Sequence, residues 1–385
     1  MCDKLFRTIE LLENEYLDFL EEVCNIESKS SNKKSVDLVG EKFIQKAKKL
    51  KVDINVMEHD ISGNAVCITM NKESKEKPIC ISGHIDTVFN EGVFGYPPVK
   101  RDNEKMYGPG VIDCKGGVVA GLMAMNALKN VGYKKRPVKL ILQTDEEVNS
   151  ATSDKKTIEF IHEMSKNALA FLNLESYVKD TAVLERKGIL KYKFEVYGKA
   201  IHASQCFNGA NAITEAAHKI IELEKMKDPN GLTCSCNVIN GGTATNAVAD
   251  YCSFYTDIRF SNNEELNLVK KKINEIAENN VDPNCYCKIT ELSIRPPMQY
   301  SETNKKLLEK MNKIYEKCGM PVLKGRKSLG GSDAAYITQF NIPCVDCIGV
   351  EGGDIHATTE FMYLKSLKES ATRIASVIYL FDEEN

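Results

Sequence analysis

The feature that most constrains this chain is a short apolar run that ends in a histidine and, two residues later, an aspartate. The run begins at Ile79, and the polar residues are His84 and Asp86. Small and β-branched residues in an unbroken apolar run are typical of a buried strand. In open α/β sheets, ligands bind at the carboxyl ends of the strands. The sequence therefore predicts a strand over 78–83 that delivers two polar side chains to a ligand-binding edge.

Other polar residues also follow predicted buried strands or lie in glycine-rich loops. The predicted strands 138–143 and 168–174 are each followed by acidic residues. The candidate site residues are His84, Asp113, Glu146, Glu147, Glu175 and His356. Each alone has a simpler explanation. A histidine at a strand end commonly only forms hydrogen bonds within the protein, and an acidic pair commonly faces water. Asp113 could cap the following helix. Their combination indicates a common site.

Four carboxylates close together repel one another unless positive charge lies among them. Two divalent cations would supply that charge, and a donor set of imidazole and carboxylate suits zinc. One ion could be bound by His84, Glu175 and Asp113, and the other by Glu147, His356 and the same Asp113. Each ion would keep an open position for water or substrate, as catalytic zinc sites do. We expect two Zn²⁺ per subunit, with Co²⁺ or Mn²⁺ as other ions that oxygen-rich sites accept.

Glu146 has no place in this ligand set. Adjacent residues of an extended chain point in opposite directions, so Glu146 and Glu147 need different roles. The role that fits Glu146 is general base toward a water molecule, and then acid toward the leaving amine. Asp86 is suited to accept the other ring N–H of His84, which would fix the tautomer of the imidazole. We therefore predict catalytic roles for Glu146 and Asp86.

The pattern of the sequence changes near residue 187. From Gly188 onward apolar and charged residues alternate, which is typical of a half-exposed antiparallel strand. The elements predicted after it give the order β-α-β-β-α-β of a ferredoxin-like fold. Residues 1–186 and 299–385 are predicted to form an α/β catalytic domain, and residues 187–298 an inserted α+β domain.

Composition narrows the classes of partner and compartment. The chain has 385 residues and a net charge of -3, which argues against a nucleic-acid or acidic-membrane partner. The residues from 1 to 22 form an amphipathic pattern unlike a secretion signal, and no apolar segment approaches the length of a membrane span. The 14 cysteines lack zinc-finger spacing and are expected to be reduced thiols. We expect a cytoplasmic protein.

Several stretches of this sequence, taken together, resemble a known enzyme family. The stretches are Gly83–Val88, Tyr107–Gly117, Thr144–Glu147, Gly198–Ala203, Gly330–Tyr336 and the late His356. They are similar in order and spacing to the di-zinc exopeptidases and deacylases, which include glutamate carboxypeptidase, acetylornithine deacetylase, succinyl-diaminopimelate desuccinylase and aminoacylase. The likeness is greatest to the glutamate carboxypeptidase branch. It implies a mixed-sheet zinc-exopeptidase catalytic domain with an inserted ferredoxin-like lid or dimerisation domain, and the metal ligands and base proposed above.

The resemblance also implies roles for residues that spacing alone does not single out. These residues are His202, Asn246, Arg259, Arg295, Gly330 and Gly331. In dimeric members, a histidine at the position of His202 reaches the partner's active site and polarises the scissile carbonyl. Asn246 and Arg259, with Arg295 as a further candidate, are implied to bind the substrate carboxylate, which an arginine can grip with two hydrogen bonds. The two glycines would let the backbone approach the substrate.

The sequence departs from the family pattern at Cys114 and Asn149, and Glu175 is glutamate where some relatives have aspartate. Cys114 stands where many members carry aspartate, and Asn149 replaces the glycine that usually follows the paired glutamates. The expected function is a di-zinc hydrolase that cleaves an amide next to a free carboxylate, as a carboxypeptidase or dipeptidase on short peptides, and a homodimer. A deacylase of N-acyl amino acids, a single-zinc enzyme and a catalytically inactive metal-dependent binding protein are the alternatives.

Overall fold

The computed structural model describes residues 2–229 and 231–383. Over these residues the chain divides into two compact units. The first unit comprises residues 2–184, 300–327 and 332–383, and the second comprises residues 185–299 together with 328–331. The second unit is therefore inserted between two sections of the first. Each unit has a hydrophobic core of its own.

Both units contain helices and strands. The helices are α1 (Asp3–Cys24), α2 (Lys33–Lys48), α3 (Lys115–Asn130), α4 (Lys156–Ser165), α5 (Ala212–Glu224), α6 (Asn263–Glu278), α7 (Glu302–Lys317), α8 (Ala334–Gln339) and α9 (Leu364–Leu380). The strands are β1 (Asp53–Met57), β2 (Ala65–Met70), β3 (Ile79–His84), β4 (Lys100–Arg101), β5 (Lys105–Tyr107), β6 (Val138–Gln143), β7 (Ala170–Asn173), β8 (Thr181–Arg186), β9 (Gly188–Tyr197), β10 (Thr233–Gly241), β11 (Tyr251–Phe260), β12 (Tyr286–Arg295), β13 (Lys324–Ser328), β14 (Cys344–Val345), β15 (Gly352–Gly353) and β16 (Phe361–Tyr363).

The central sheet of the first unit explains how distant polar residues come to one edge. Its strand order is β1-β2-β6-β3-β7-β14. The sheet is mixed, because β2 is antiparallel to both of its neighbours, β1 and β6, while β6, β3, β7 and β14 are parallel to one another. The last residue of β3, His84, pairs with Gln143, the last residue of β6. Ser82 of β3 pairs with Asn173, the last residue of β7. Because these parallel strands end together, the residues that follow them meet at one edge.

Helix α3 packs against this sheet and is buried along nearly its whole length. Its end is set by Gly132, which has φ +84, so that the Tyr133 N–H bonds the Leu128 carbonyl at 2.9 Å in the manner of a glycine-terminated helix. A glycine also sets the approach of α3 to the chain after β7. A Cβ atom on Gly117 would lie 2.1 Å from the Leu174 carbonyl oxygen. The residue after Leu174 is Glu175, so this close approach positions a candidate site residue.

We expect Gly117→Ala to lower the free energy of unfolding by about 1–3 kcal/mol, the usual cost of overpacking a tight core. The added methyl group would displace backbone, which cannot rotate away as a flexible side chain does. Gly40→Ala in α2 is the matched control, because its Cβ would lie 3.8 Å from the nearest atoms, in ordinary contact. Urea unfolding of both variants measures the difference. Equal stability of the two variants would contradict the proposed packing.

The second unit has the ferredoxin-like topology that the sequence predicted. Its element order is β9-α5-β10-β11-α6-β12, and the sheet order is β10-β11-β9-β12 with antiparallel neighbours throughout. Strand β9 alternates buried and more exposed residues, as its apolar and charged pattern indicated. The Phe194 and Phe254 rings stack at 4.6 Å in the core of this unit.

Some elements differ from the sequence-based expectation. The apolar segment 343–350 has the pattern of a buried strand, but only Cys344–Val345 pairs in the sheet. The chain then turns at Cys347, which has φ +63, and the Gly349 N–H bonds the Glu175 carbonyl at 3.0 Å. The segment is apolar because it is buried beside the site.

The cysteines also differ in one respect from the expectation that all are reduced. Cys2 and Cys318 are joined by a disulfide, while the other cysteines among the described residues are free. Within residues 2–229 and 231–383, no helix has the length and apolar character needed to cross a membrane.

Candidate metal centre

The end of β3 places the His84 ring between two acidic residues. The ring is buried, and its Nε2 atom lies 3.0 Å from Asp113 Oδ1 and 3.9 Å from Glu175 Oε1. Asp113 immediately precedes the Cys114 cap of α3, and Glu175 follows β7. Residues separated by some 90 positions in the sequence are thus brought together by the sheet and α3, as the strand-end pattern indicated.

The second oxygen of Asp113 faces another histidine. The Nε2 atom of His356 lies 3.2 Å from Asp113 Oδ2 and 3.2 Å from Glu147 Oε2. His356 lies in the loop between β15 and β16, with φ +66, and its side chain is 52% exposed. One carboxylate therefore lies between two imidazoles, and each imidazole has a glutamate of its own.

Glu146 also lies in this cluster. A carboxylate oxygen of Glu146, a ring nitrogen of His84 and a carboxylate oxygen of Glu175 all lie within 4.8 Å of one another. The premise that Glu146 and Glu147 lie on an extended chain is wrong, because Glu146–Val148 forms a 3₁₀ turn. A tight turn, and not the alternation of a strand, sets the directions of the two side chains.

Asp86 connects β3 to this turn. It is 0% exposed, and its main-chain oxygen lies 3.1 Å from His84 Nδ1, closer than its carboxylate at 3.4 Å. Its carboxylate accepts hydrogen bonds from the backbone N–H groups of Glu146 and Glu147 at 3.3 and 3.2 Å, and from the Ser30 hydroxyl at 2.6 Å. Asp86 therefore holds the acidic pair as well as one side of the imidazole. A bond from Nδ1–H leaves Nε2 of His84 to face the carboxylates.

The electrostatics of the cluster favour cations. Hydrogen bonds with Asp113 and then Glu147 raise the pKa of His356 to about 10, against the opposing effect of burial. Burial lowers the pKa of His84, but Cys114 and hydrogen bonds with Asp113 and Asp86 more than offset this, so the pKa lies well above its ordinary value. Burial raises the pKa of Glu147 to about 7 despite its bond to His356. Without metal, protonated histidines supply positive charge among the carboxylates, and a proton on Glu147 removes a negative charge.

Glu360 is a site residue that the sequence analysis missed. It is 1% exposed and accepts hydrogen bonds from the backbone N–H groups of Ile112 and Asp113 at 3.1 and 3.3 Å. Burial, and then the neighbouring Asp113 carboxylate, raises the pKa of Glu360 to about 8. Glu360 therefore fixes the loop that carries Asp113. The only sequence signal is an acidic residue immediately before the apolar strand β16.

The two departures from the family pattern are accommodated locally. The Cys114 Sγ accepts a hydrogen bond from the His84 backbone N–H at 3.2 Å, so a thiol supports the end of β3. Asn149 adopts φ +57, a conformation that asparagine enters more readily than most residues with a side chain. Its side-chain oxygen accepts a hydrogen bond from the Tyr336 hydroxyl at 3.0 Å. Asn149 thus keeps a left-handed backbone conformation that glycine also adopts, and its side chain adds a hydrogen bond with Tyr336.

The remaining candidates lie in the second unit. The Ala203 N–H donates to the Asn246 carbonyl at 2.9 Å, which brings Asn246 next to the exposed His202. Arg259 donates to both carboxylate oxygens of Asp257, at 2.5 and 3.1 Å. A substrate carboxylate would have to displace Asp257 to be gripped in the same way. In this structure Arg259 is therefore engaged in an internal ion pair.

Arg295 and the two glycines also belong to this unit. A Cβ atom on Gly331 would lie 3.0 Å from Arg295 Nη1, so Arg295 packs directly against that glycine. The carbonyl oxygens of Gly330 and Gly331 accept hydrogen bonds from Arg186 Nη1 at 3.1 and 3.2 Å. Arg186 was not predicted, and it anchors the glycine pair within the unit.

Comparison with curated proteins gives relatives over most of the chain. Carboxypeptidase G2 of Pseudomonas sp. (strain RS-16) is 27% identical over 286 residues, which cover 73% of this chain and 68% of that protein. The succinyl-diaminopimelate desuccinylase of Orientia tsutsugamushi (strain Ikeda) is 24% identical over 326 residues, covering 79% of this chain and 80% of the relative. One of these related proteins is named as a carboxypeptidase and the other as a desuccinylase.

A solved structure shares the fold over nearly the whole chain. The crystal structure of a tripeptidase from Staphylococcus aureus matches with a TM-score of 0.80 at 22% identity, covering 97% of this chain and 99% of that chain. In addition, the model of peptidase family M20/M25/M40 matches residues 80–380. That range contains every candidate site residue described above. The chain therefore belongs to peptidase family M20/M25/M40, and it is a metallohydrolase.

Proposed function

We propose that this protein binds two zinc ions and hydrolyses an amide bond next to a free carboxylate, as a carboxypeptidase or dipeptidase on short peptides. The observation that carries the proposal is the position of Asp113. Its two oxygens lie 3.0 Å from His84 and 3.2 Å from His356. A carboxylate between two imidazoles is the arrangement expected of a ligand shared by two metal ions.

The donor atoms fit zinc in type and number. His84, Glu175 and Asp113 would hold one ion, and His356, Glu147 and the same Asp113 the other. Imidazole nitrogen and carboxylate oxygen are ligands that zinc accepts, as do Co²⁺ and Mn²⁺. The raised pKa values of His84 and His356 are a consequence of the same acidic surroundings that would attract a divalent cation. Three protein ligands per ion leave a position open for water or substrate.

Zinc, when bound, polarises a carbonyl oxygen and lowers the pKa of water. Glu146 is 7% exposed, and its backbone N–H is held by Asp86 at 3.3 Å. Its carboxylate takes a proton from the attacking water and then gives that proton to the leaving amine nitrogen. Asp86 keeps the Nδ1 side of His84 occupied, so Nε2 remains directed at Asp113 and Glu175.

The second unit supplies the remaining parts of this proposal. We assign residues 187–298 to a lid or dimerisation domain, with His202 polarising the scissile carbonyl in a homodimer. The substrate end that carries the carboxylate would be bound by Asn246, Arg295 and the pair Gly330 and Gly331. Of these, Asn246 lies next to His202. Arg259 would join them only by releasing Asp257. A cytoplasmic location fits this proposal.

Deacylation of N-acyl amino acids is the second candidate function. The similarity to a succinyl-diaminopimelate desuccinylase favours it, since that protein's name describes removal of an acyl group. The same cluster could serve either reaction, because both break an amide bond. Substrate choice therefore distinguishes the two candidates, and the metal ligands do not.

A paired substrate panel tests both candidates. Zinc-loaded protein is incubated with dipeptides, tripeptides, and N-acetyl and N-succinyl amino acids, each beside its carboxyl-amidated twin, and products are identified by mass spectrometry. We expect cleavage of members with a free carboxylate and little cleavage of the amidated twins. Cleavage of peptides alone supports a peptidase, and cleavage of acyl amino acids alone supports a deacylase. No turnover across the panel, or equal turnover of the twins, would contradict the proposal.

Zinc affinity should increase with pH. In the metal-free protein His356 has a pKa of about 10, above its ordinary value of 6.5, so it is protonated at neutral pH. That proton stabilises the folded state fully below about pH 6.5, and the contribution is lost as pH rises through about 10. Zinc requires the unprotonated imidazole, so each zinc bound at a histidine displaces a proton. Between pH 7 and 8.5 we expect an increase of about tenfold in affinity per pH unit for each proton displaced.

Calorimetric zinc titrations in buffers of different ionisation enthalpy measure the proton release directly. His356→Asn is the control, because it removes the proton with the imidazole. Zinc binding to the unaltered protein without proton release at pH 7.5 would contradict the pKa directions on which this prediction depends.

A further inference from the structure

A cavity lies in the first unit, apart from the acidic cluster. Its volume is about 640 Å³, and it is lined by side chains of α1, the start and middle of α9, and the loops around residues 177–180 and 320–321. No candidate metal ligand is among the lining residues in the part of the chain that the structure describes. The proposed hydrolysis therefore makes no use of this space.

At the buried side of the cavity lies an arginine with few partners. Arg373 is 9% exposed, and Nη2 donates to the Gly349 carbonyl at 3.3 Å. Its guanidinium carbon lies 3.9 Å from the centre of the Tyr177 ring. The Nε atom is buried without a hydrogen-bond partner, and no carboxylate among residues 2–229 and 231–383 forms an ion pair with Arg373. A buried cation with unused donors is costly unless an anion binds it.

Acidic side chains line the same cavity without pairing with Arg373. Glu351 and Asp180 are both half-buried lining residues, and both lie close enough to Tyr177 to affect its hydroxyl electrostatically. Among the described residues neither forms an ion pair, with Arg373 or with another cation. Glu351 is anchored through its backbone, because its carbonyl accepts the Tyr363 N–H at 2.9 Å. Charges of both signs thus line the cavity, and among the described residues neither of these carboxylates forms an ion pair with Arg373.

The rest of the wall is largely apolar. Phe6, Met320 and Tyr363 line the cavity together with the Tyr177 ring. Of the three lysines that line the cavity, Lys368 pairs with Glu13 at 2.8 Å, Lys365 lies 4.0 Å from Glu369, and Lys179 is exposed to solvent. A ligand complementary to these lining residues would have a carboxylate to bind Arg373, a cationic group to bind the carboxylates, and an apolar group.

We propose that this cavity binds a free amino acid with an apolar side chain. The carboxylate would take a two-pronged hydrogen bond from Arg373, as guanidinium groups commonly give. The ammonium group would lie toward Glu351 and Asp180, and the side chain would pack on Phe6 and Met320. A cavity of this volume is in the usual range of small-molecule sites. The proposal does not depend on the proposed function of the metal centre.

Binding of L-phenylalanine to the zinc-loaded full-length protein tests the proposal. Isothermal titration compares it with 3-phenylpropionate, which lacks the ammonium, and with L-phenylalanine amide, which lacks the carboxylate. We expect each analogue to bind at least tenfold more weakly, about 1.4 kcal/mol. Equal binding of 3-phenylpropionate would overturn the assignment of a zwitterion, and equal binding of the amide would overturn the role of Arg373.

Two variants locate the binding. Arg373→Gln should weaken L-phenylalanine binding at least tenfold, and Glu351→Gln should do so as well. Glu351 forms no ion pair among the described residues, so its variant keeps the experiment decisive if Arg373→Gln does not fold. Lys34→Gln, at an exposed residue of α2 outside the cavity lining, is the matched control and should change affinity less than about twofold. Unchanged affinity in both test variants, or crystal density for the amino acid at His84 and Asp113 only, would overturn the proposal.

Discussion

Replacement of Glu146 by glutamine is expected to lower the turnover of the zinc-loaded protein by about 10²- to 10⁴-fold, the usual contribution of a general acid–base group. Glutamine keeps the size of the side chain and its hydrogen-bonding capacity, but it cannot accept the proton of the attacking water. The backbone N–H of residue 146 would still bond Asp86, so the turn that carries Glu147 should remain in place. Activity should therefore fall while zinc content does not.

The comparison with Glu175→Gln makes this result specific. Glu175 lies 3.9 Å from His84 and belongs to the proposed ligand set, so its variant should lose zinc together with activity. Zinc content is measured by elemental analysis after dialysis, and turnover with the best substrate of the panel. If Glu146→Gln loses zinc to the same extent as Glu175→Gln, Glu146 is a ligand. If it hydrolyses at the unaltered rate, the proposed proton transfer is wrong.

The strand-end residues could be predicted because local pattern and topology agree there. The apolar run before His84 is a fully buried strand, and parallel strands next to it end at the same edge. Once the ends of β3, β6 and β7 coincide, the residues after them have to be neighbours. The sequence therefore contained enough information to bring His84, Glu146 and Glu175 together.

Residues that hold the site from elsewhere in the chain were not predictable in this way. Glu360 bonds the Asp113 N–H across a separation of 247 residues, and Ser30 bonds Asp86 across 56. Neither residue follows a buried strand or belongs to a spacing pattern, because its contribution is a contact with the backbone or with another polar residue of the site. Such contacts depend on the packed fold, and the periodicity of one sequence does not record them.

The acidic pair shows how a correct location can follow from a wrong local premise. Glu146 and Glu147 were expected on an extended chain with side chains on opposite sides, but they lie in a 3₁₀ turn. The turn is held by Asp86, which accepts both N–H groups, and by Asn149 at its left-handed end. Different roles for the two glutamates remain a prediction, now based on their separate neighbours.

Replacement of Asp113 by asparagine is expected to have the second large effect, on metal binding. An amide has one acceptor oxygen and no negative charge, so it can face His84 or His356 with an acceptor, and not both. Zinc affinity should fall by more than the 10- to 100-fold that follows loss of a residue supporting a metal ligand. The stoichiometry should fall below two zinc ions per chain at micromolar zinc.

Glu360→Gln is the matched control for this experiment. It keeps an acceptor oxygen toward the N–H groups of Ile112 and Asp113, so it should leave the stoichiometry unchanged and lower zinc affinity less than Asp113→Asn does. Calorimetric titration and elemental analysis of both variants provide the comparison. Two zinc ions bound by Asp113→Asn with unaltered affinity would show that Asp113 is not shared between metal sites, and the two-zinc proposal would then fail.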